Sequence, residues 1–180
     1  MRIFFFIIIM FSLFTKANAN YSNLAYDFSF NSIDGNSIKL DEYKNQIIVV
    51  VNVASRCGYT PQYEDLQKLW KNYKKMGLVV IGVPTNNFKQ EPGSNEEIKN
   101  FCETSFGIDF PMTKKMDVIG KDAHPFFKWA KKNHGISAIP KWNFHKIIIG
   151  KDGKVIDTFA SFTKPSSSKF IKIIEEEIKN

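Results

Sequence analysis

The chain has 180 residues, of which 43% are hydrophobic, and it carries a formal net charge of +7. This length suits one domain that buries its own core without disulfides or metals to hold it together. The lysines are spread along the chain and do not form a basic cluster among aromatic residues, so we expect no nucleic-acid surface and at most weak attraction to an anionic membrane.

The first nineteen residues have the pattern of a secretory signal peptide. Arg2 precedes an almost wholly apolar stretch from Ile3 to Phe14, and Ala17-Asn18-Ala19 has the small-x-small pattern that precedes cleavage. The apolar stretch is shorter than the roughly 20 residues that span a bilayer, which makes an uncleaved anchor the weaker interpretation. We therefore predict a signal peptide at 1–19, a single domain at 20–180 and an exported protein, periplasmic or secreted.

Hydrophobic periodicity predicts a βαβ unit followed by a ββα unit. In chain order we expect a hairpin over 28–40, a buried strand over 46–53, a helix capped by Thr60-Pro61, a buried strand over 78–83, helices from Ser94 and over 125–133, a hairpin over 144–159 and a helix over 168–179. This order indicates an α/β fold, and periodicity alone does not define it further.

Cys57 follows the buried strand and precedes a predicted helix. The unpaired N–H groups and positive dipole end of a helix favour a thiolate, and Arg56 adds a neighbouring cation. The common alternative is a buried structural cysteine. Because Gly58 and Thr60-Pro61 are turn signals, they place Cys57 in a loop, which favours the reactive thiol.

Three blocks of the sequence resemble the signature blocks of the glutathione peroxidase family. They read NVASRCGYTPQY at 52–63, VPTNNFKQEPGSNEEIKNFC at 83–102 and WNF at 142–144. The resemblance runs in the right order from about Asp27 to the C-terminus. It implies a thioredoxin-like fold, with a central mixed β-sheet flanked by helices, and a thiol peroxidase that reduces hydrogen peroxide and organic or lipid hydroperoxides.

The resemblance also implies a catalytic tetrad of cysteine, glutamine, tryptophan and asparagine. Cys57, Trp142 and Asn143 match three of these positions. The family's Asn-Gln-Phe block reads Asn86-Asn87-Phe88 here, so we assign the glutamine position to Asn87, whose side chain is one methylene shorter. Indole and amide groups donate hydrogen bonds from uncharged N–H groups. Such donors can stabilise a thiolate and a departing alkoxide without adding a charge that would hold the leaving group in the site.

Cys102 is the second cysteine and lies on the helix that begins after Ser94. There, Ser94 and Glu97 form a capping box, and Ile98 and Cys102 share one face. Two cysteines in an exported protein ordinarily suggest a structural disulfide. The resemblance to thioredoxin-dependent members instead implies that Cys102 is the resolving cysteine, which condenses with oxidised Cys57.

The resemblance further implies the partners of such an enzyme. The reductant would be a thioredoxin-like protein, with glutathione as the alternative, and no cofactor or metal is expected. Because the segment between Gly120 and Trp142 is short, we expect a monomer with an open site.

Other functional classes fit the residues less well. A thiol-disulfide oxidoreductase needs a second cysteine three residues after the first, but Gly58-Tyr59-Thr60 follows Cys57. A cysteine hydrolase needs a histidine base, and we interpret His124, His134 and His145 as surface or helix-end residues. Two separated cysteines and scattered histidines do not have the spacing of a metal site. The remaining alternative is a peroxide sensor that passes the oxidation of Cys57 to a partner by disulfide exchange.

Overall fold

The structure is a computed structural model that describes residues 21–180. The predicted signal peptide at 1–19 lies outside the described residues. Within the described part of the chain, no helix combines the length and the hydrophobicity needed to cross a bilayer.

A short antiparallel hairpin precedes a central mixed sheet of four strands. The hairpin pairs β1 (Ser29–Asn31) with β2 (Ser37–Lys39). The sheet contains β3 (Ile47–Val53), β4 (Leu78–Pro84), β5 (Lys146–Ile149) and β6 (Val155–Phe159), in the order β4-β3-β5-β6. Four helices flank it: α1 (Gln62–Tyr73), α2 (Asn95–Phe106), α3 (Pro125–His134) and α4 (Ser168–Lys179). The predicted α/β fold is confirmed.

The central strand β3 explains the layered arrangement. All seven of its residues are buried, and it pairs with β4 on one side and β5 on the other. Ile47, Val49 and Val51 pack with residues of α1, α2 and α4, whereas Ile48 and Val50 pack with residues of α3 and the β1–β2 hairpin. A strand covered on both faces has no polar face, so its sequence shows a continuous apolar run.

One predicted strand begins later than expected, and the last helix is buried at only two of its residues. The fifth strand begins at Lys146 and not at Phe144, because Phe144 adopts a φ of 63° that interrupts the extended backbone. In α4, Phe170 and Ile174 are the fully buried residues, while Ile171 and Ile178 are only partly buried.

The strand directions bring three loops to one edge of the sheet. β3 and β4 are parallel, with Val53 opposite Pro84, so both end at this edge. β5 is antiparallel to β3, with Lys146 opposite Val51, so it begins there. The segments after β3, after β4 and before β5 therefore meet, and these segments carry the residues predicted for the site.

Candidate active site

Cys57 lies in a tight turn between β3 and α1 that Thr60 holds in place. The Cys57 N–H donates to Thr60 Oγ1 (3.0 Å), and the Thr60 hydroxyl donates to the carbonyl of Ala54 (2.9 Å). Cys57 Sγ accepts a hydrogen bond from the N–H of Tyr59 (3.4 Å). The side chain of Cys57 is only 7% exposed.

The cap of α1 differs from the prediction. Pro61 occupies the N-cap without a side-chain hydrogen bond, and Thr60 is committed to the Cys57 turn. The N–H donor at the sulfur therefore comes from Tyr59, in the turn that precedes the helix. A backbone N–H directed at sulfur stabilises a thiolate by the same electrostatic effect that was expected of the helix end.

Asn52 joins the end of β3 to the segment that contains Trp142. It is 1% exposed, its Nδ2 donates to the carbonyl of Trp142 (3.1 Å), and its Oδ1 accepts from the N–H of His145 (3.1 Å). Its carbonyl also accepts from the N–H of Phe144 (2.6 Å). Sequence reasoning missed this positioning role, although Asn52 is the single polar residue in an otherwise apolar strand.

Gln90 is the amide that the fold brings to Asn143. Asn143 is completely buried, and its Nδ2 donates to Gln90 Oε1 (2.9 Å). The carbonyl of Gln90 accepts from the N–H of Arg56 (3.0 Å), the residue before Cys57. Gln90 thus bonds to the Cys57 turn through its backbone and to Asn143 through its side chain.

Asn87, the residue assigned to the glutamine position, does not join this group. Its Nδ2 donates to Asp117 Oδ1 (2.6 Å), and its Oδ1 accepts from the N–H of Val118 (2.7 Å). Both polar ends of the amide are therefore occupied by the 117–119 loop. Lys89, with a φ of 58°, turns the chain between Asn87 and Gln90. The sequence contained a signal for the correct residue: Gln90, a second amide with a longer side chain, follows Asn87 by three residues in the same block.

Glu91 connects the loops after β3 and β4 next to Gln90. This carboxylate is 1% exposed, and its Oε2 accepts from the N–H (2.7 Å) and the hydroxyl (2.9 Å) of Ser55. Burial raises its pKa, although the hydrogen bonds from Ser55 and the charges of Lys115 and Arg56 oppose that shift. The loop that carries Gln90 is therefore fixed to the loop that carries Cys57 at two successive residues.

Trp142 is at the open side of the site. Its side chain is 42% exposed, and its ring packs at a tilt against Phe88, with 5.5 Å between ring centroids. The sheet edge therefore places Cys57, Gln90, Trp142 and Asn143 on three adjoining loops.

The three histidines occupy different environments. His124 and His134 lie at the two ends of α3, as predicted. The prediction for His145 is wrong: it is 6% exposed and lies immediately before β5, and burial lowers its pKa to about 4. Its Nε2 has no hydrogen-bond partner among the described residues.

Lys146 is a completely buried lysine beside His145. Its ammonium group donates to Gln62 Oε1 and to the carbonyl of Thr163 (2.7 Å), while Gln62 Nε2 donates to the carbonyl of Ser161 (2.6 Å). Burial lowers the pKa of Lys146 to about 7. Lys146 and Gln62 thus hold the 161–163 turn against the start of α1.

Cys102 lies on α2, with the predicted capping box of Ser94 and Glu97 confirmed. It is 1% exposed, packs in the same core cluster as Cys57, and both cysteines are free thiols. Burial raises the pKa of Cys102 to about 11, and the side chain of Tyr63 lies beside it. In the described residues, no group of three or more His, Cys, Asp or Glu side chains could hold a metal ion.

Comparison with known proteins gives a consistent result. A family model described as glutathione peroxidase matches residues 25–131. The chain is 43% identical to a glutathione peroxidase of Lactococcus lactis over 157 residues, covering 86% of this chain and 96% of that protein. It is 44% identical to glutathione peroxidase-like peroxiredoxin 2 of Saccharomyces cerevisiae over 147 residues, covering 79% and 90% respectively.

Solved structures agree with the sequence comparisons. The chain resembles the crystal structure of a glutathione peroxidase from T. cruzi with a TM-score of 0.68 and 31% identity, covering 88% of this chain and 98% of that one. A thioredoxin-family thiol:disulfide interchange protein from Chlorobium tepidum gives a TM-score of 0.64 at 18% identity, with coverages of 84% and 92%. The second likeness shows the thioredoxin-like fold alone. The named relatives are peroxidases or peroxiredoxins, so the sensor alternative is not favoured.

Proposed function

The chain belongs to the glutathione peroxidase family and is a thiol peroxidase that reduces hydroperoxides, and on this basis we propose that Cys57 attacks the peroxide and Cys102 resolves the product. The observation that carries this proposal is the edge of the sheet, where Cys57 and the Gln90–Asn143 amide pair lie on adjoining loops. This arrangement brings two neutral amide side chains to the loops that adjoin a single thiol.

In the first step, the Cys57 thiolate attacks one oxygen of the hydroperoxide. A sulfur–oxygen bond forms, the O–O bond breaks, and the departing alkoxide or hydroxide takes a proton to become an alcohol or water. The sulfur is oxidised to a sulfenic acid. The Tyr59 N–H would stabilise the thiolate, and the Trp142 indole and the amides of Gln90 and Asn143 would stabilise the developing negative charge on oxygen.

In the second step, Cys102 condenses with the sulfenic acid, forming a disulfide and releasing water. The folded state opposes this step, because Cys102 is buried and its raised pKa keeps it protonated at neutral pH. The resolving step therefore requires α2 to open locally, so that the thiol can deprotonate and approach Cys57. A dithiol reductant then returns both cysteines to thiols.

The reductant that this chemistry favours is a thioredoxin-like protein. An intramolecular disulfide is the substrate of a dithiol exchange, in which each attacking thiolate displaces one sulfur. Steady-state peroxidase assays with thioredoxin or glutathione as the only reductant test the assignment. We expect turnover with thioredoxin and at least tenfold slower turnover with glutathione; the reverse order would contradict the resolving role of Cys102.

Replacement of the attacking cysteine tests the first step. Cys57→Ser should abolish peroxide consumption while leaving the fold intact, because a serine hydroxyl is not ionised near neutral pH. Circular dichroism serves as the control for folding. Retained consumption in a folded variant would show that another group reduces the peroxide.

The location and assembly of the protein are also part of the proposal. The pattern of residues 1–19 supports export to a periplasm or beyond the cell. The short segment between α3 and Trp142, which contains one 3₁₀ turn at Gly135–Ala138, supports a monomer. The net positive charge supports no more than weak association with an anionic membrane.

A further inference from the structure

Tyr63 lies in the core between the turn that carries Cys57 and the helix that carries Cys102. It is in the first turn of α1, and its N–H donates to the carbonyl of Thr60, whose hydroxyl holds the Cys57 turn. Its ring packs against Phe106 at the end of α2 and edge-to-face against Phe144, with 5.3 Å between ring centroids in both pairs. One side chain therefore contacts both α2 and the segment that leads into β5.

The hydroxyl of Tyr63 is buried without a hydrogen bond. The residue is 0% exposed, and its Oη has no hydrogen-bond partner among the described residues. The Cys102 thiol lies beside it, but the two groups are not oriented to form a hydrogen bond, and sulfur is a weak acceptor. A buried hydroxyl without a partner destabilises the state that buries it.

No charge compensates for the missing hydrogen bond. Burial raises the pKa of Tyr63 well above its usual value and raises the pKa of Cys102 to about 11. The phenol and the thiol are therefore both protonated and uncharged at neutral pH. They share a core cluster with apolar side chains such as Leu66 and Ile98.

Local opening of α2 would change the surroundings of this hydroxyl. Phe106 and Cys102 both lie on α2, so opening this helix removes two side chains that cover Tyr63 and admits water to Oη. The hydroxyl then forms hydrogen bonds that it lacks in the closed fold. This difference lowers the free energy needed to open α2.

We propose that Tyr63 is a positioning residue for the resolving step: its unpartnered hydroxyl, buried beside Cys102, favours the local opening of α2 that lets Cys102 reach Cys57. This inference rests on the proposed function, because it requires Cys102 to be the resolving cysteine. In that step a bond forms between the two sulfurs, the S–O bond of the sulfenic acid breaks, and the hydroxide takes the thiol proton to leave as water. Tyr63 takes no part in these bond changes and acts only through α2.

The first test separates the two steps in Tyr63→Phe, which removes the hydroxyl and keeps the ring. One equivalent of hydrogen peroxide is mixed with the reduced protein, and acid-quenched samples are analysed by mass spectrometry. The sulfenic acid carries one added oxygen, whereas the disulfide has lost two hydrogens. We expect the variant to form the sulfenic acid within about twofold of the parent rate and to convert it to the disulfide about tenfold more slowly.

Tyr73→Phe is the matched control. Tyr73 lies on the same helix, but its hydroxyl donates to Glu175 Oε1 (2.8 Å) at the surface. The change removes a hydroxyl that has a partner and leaves the surroundings of Cys102 as they are. We expect both steps in Tyr73→Phe to stay within about twofold of the parent rates.

Two measurements distinguish this role from a general effect on stability. Hydrogen exchange of the α2 amides in reduced Tyr63→Phe should be about tenfold slower than in the parent. A purely structural role would change urea unfolding and leave the local exchange of α2 unchanged. The dithiol–disulfide equilibrium in a glutathione buffer should shift about tenfold toward the dithiol, which corresponds to about 30 mV.

The outcomes for the positioning role and for the proposed function differ. Unchanged or faster disulfide formation in Tyr63→Phe would overturn the role of Tyr63, and so would unchanged exchange in α2. A slower first step with an unchanged second step would also overturn it, because Tyr63 would then act on the attack by Cys57. A parent protein that forms the sulfenic acid but no disulfide between Cys57 and Cys102 would refute the proposed resolving function itself.

Discussion

Replacing Gln90 separates the amide that the structure places in the site from the amide at Asn87. In Gln90→Ala, the Nδ2 of the completely buried Asn143 loses its acceptor at 2.9 Å. Its Oδ1 already lacks a partner among the described residues. Leaving a buried donor unpaired costs about 1–3 kcal/mol, and the amide would rotate or shift to avoid that cost.

The expected loss of rate follows from this free-energy cost of about 1–3 kcal/mol. If this cost raises the free energy of the transition state for the attack of Cys57 on the peroxide, each ~1.4 kcal/mol slows the reaction about tenfold. Gln90→Ala should therefore be roughly 10 to 100 times slower than the parent. Asn87→Ala is the matched control. It removes the bonds to Asp117 and Val118 and should destabilise the fold by a similar ~1–3 kcal/mol. We expect its oxidation rate to stay within about twofold of the parent.

Two measurements on each variant decide the question. Stopped-flow tryptophan fluorescence gives the second-order rate constant of Cys57 oxidation by hydrogen peroxide, and urea unfolding gives the stability. Comparable losses of stability with a slow Gln90→Ala would support the assignment to Gln90. If Asn87→Ala were the slower enzyme, Asn87 would act at the site despite its contacts, and the reasoning from this geometry would fail.

Three further predictions concern the cysteine pair, the buried lysine and the N-terminus. Cys102→Ser should still form the sulfenic acid, seen by mass spectrometry as one added oxygen after one equivalent of peroxide, but it should lose recycling by thioredoxin; unchanged turnover would exclude a resolving role. Burial lowers the pKa of Lys146 from 10.5 to about 7. Between these two pH values the unfolded chain binds the proton of Lys146 more tightly than the folded chain does. The free energy of unfolding should therefore rise with pH from 7 to 10.5, by up to ~1.4 kcal/mol per pH unit. Urea unfolding at pH 7.5 and 9 should show a smaller rise in Lys146→Met, and equal rises in both proteins would contradict burial as the cause. If the proposed signal peptide is cleaved, N-terminal sequencing of the protein produced in cells should begin at Asn20; retention of Met1 in a membrane fraction would favour an anchor.

The sequence was sufficient to predict the helices and strands and their order along the chain. The continuous apolar runs of β3 and β4 identify strands that are buried on both faces, although β3 lies inside the sheet and β4 at its edge. The capping box of Ser94 and Glu97 gives the start of α2 to the residue. These patterns are local, so each is readable without knowledge of the rest of the chain.

The identity of the amide at the site was not readable in the same way. Asn87 and Gln90 lie in one polar loop, and which of them faces Asn143 depends on the left-handed turn at Lys89 and on the contacts of Asn87 with the 117–119 loop. The second condition involves residues about thirty positions apart in the sequence. The burial of His145 and Lys146 is equally hidden, because polar residues at the start of a strand ordinarily predict exposure.

The bonds that Asn52 makes to Trp142 and His145 have a consequence for how the enzyme becomes active. They join residues about ninety positions apart, and they require β5 to be paired with β3. A chain in which β5 is detached therefore contains Cys57 without the indole and amide groups that we propose as donors to its reaction. Full peroxide reactivity at this cysteine therefore depends on the docked β5–β6 hairpin, and chains in which that hairpin is detached should react more slowly.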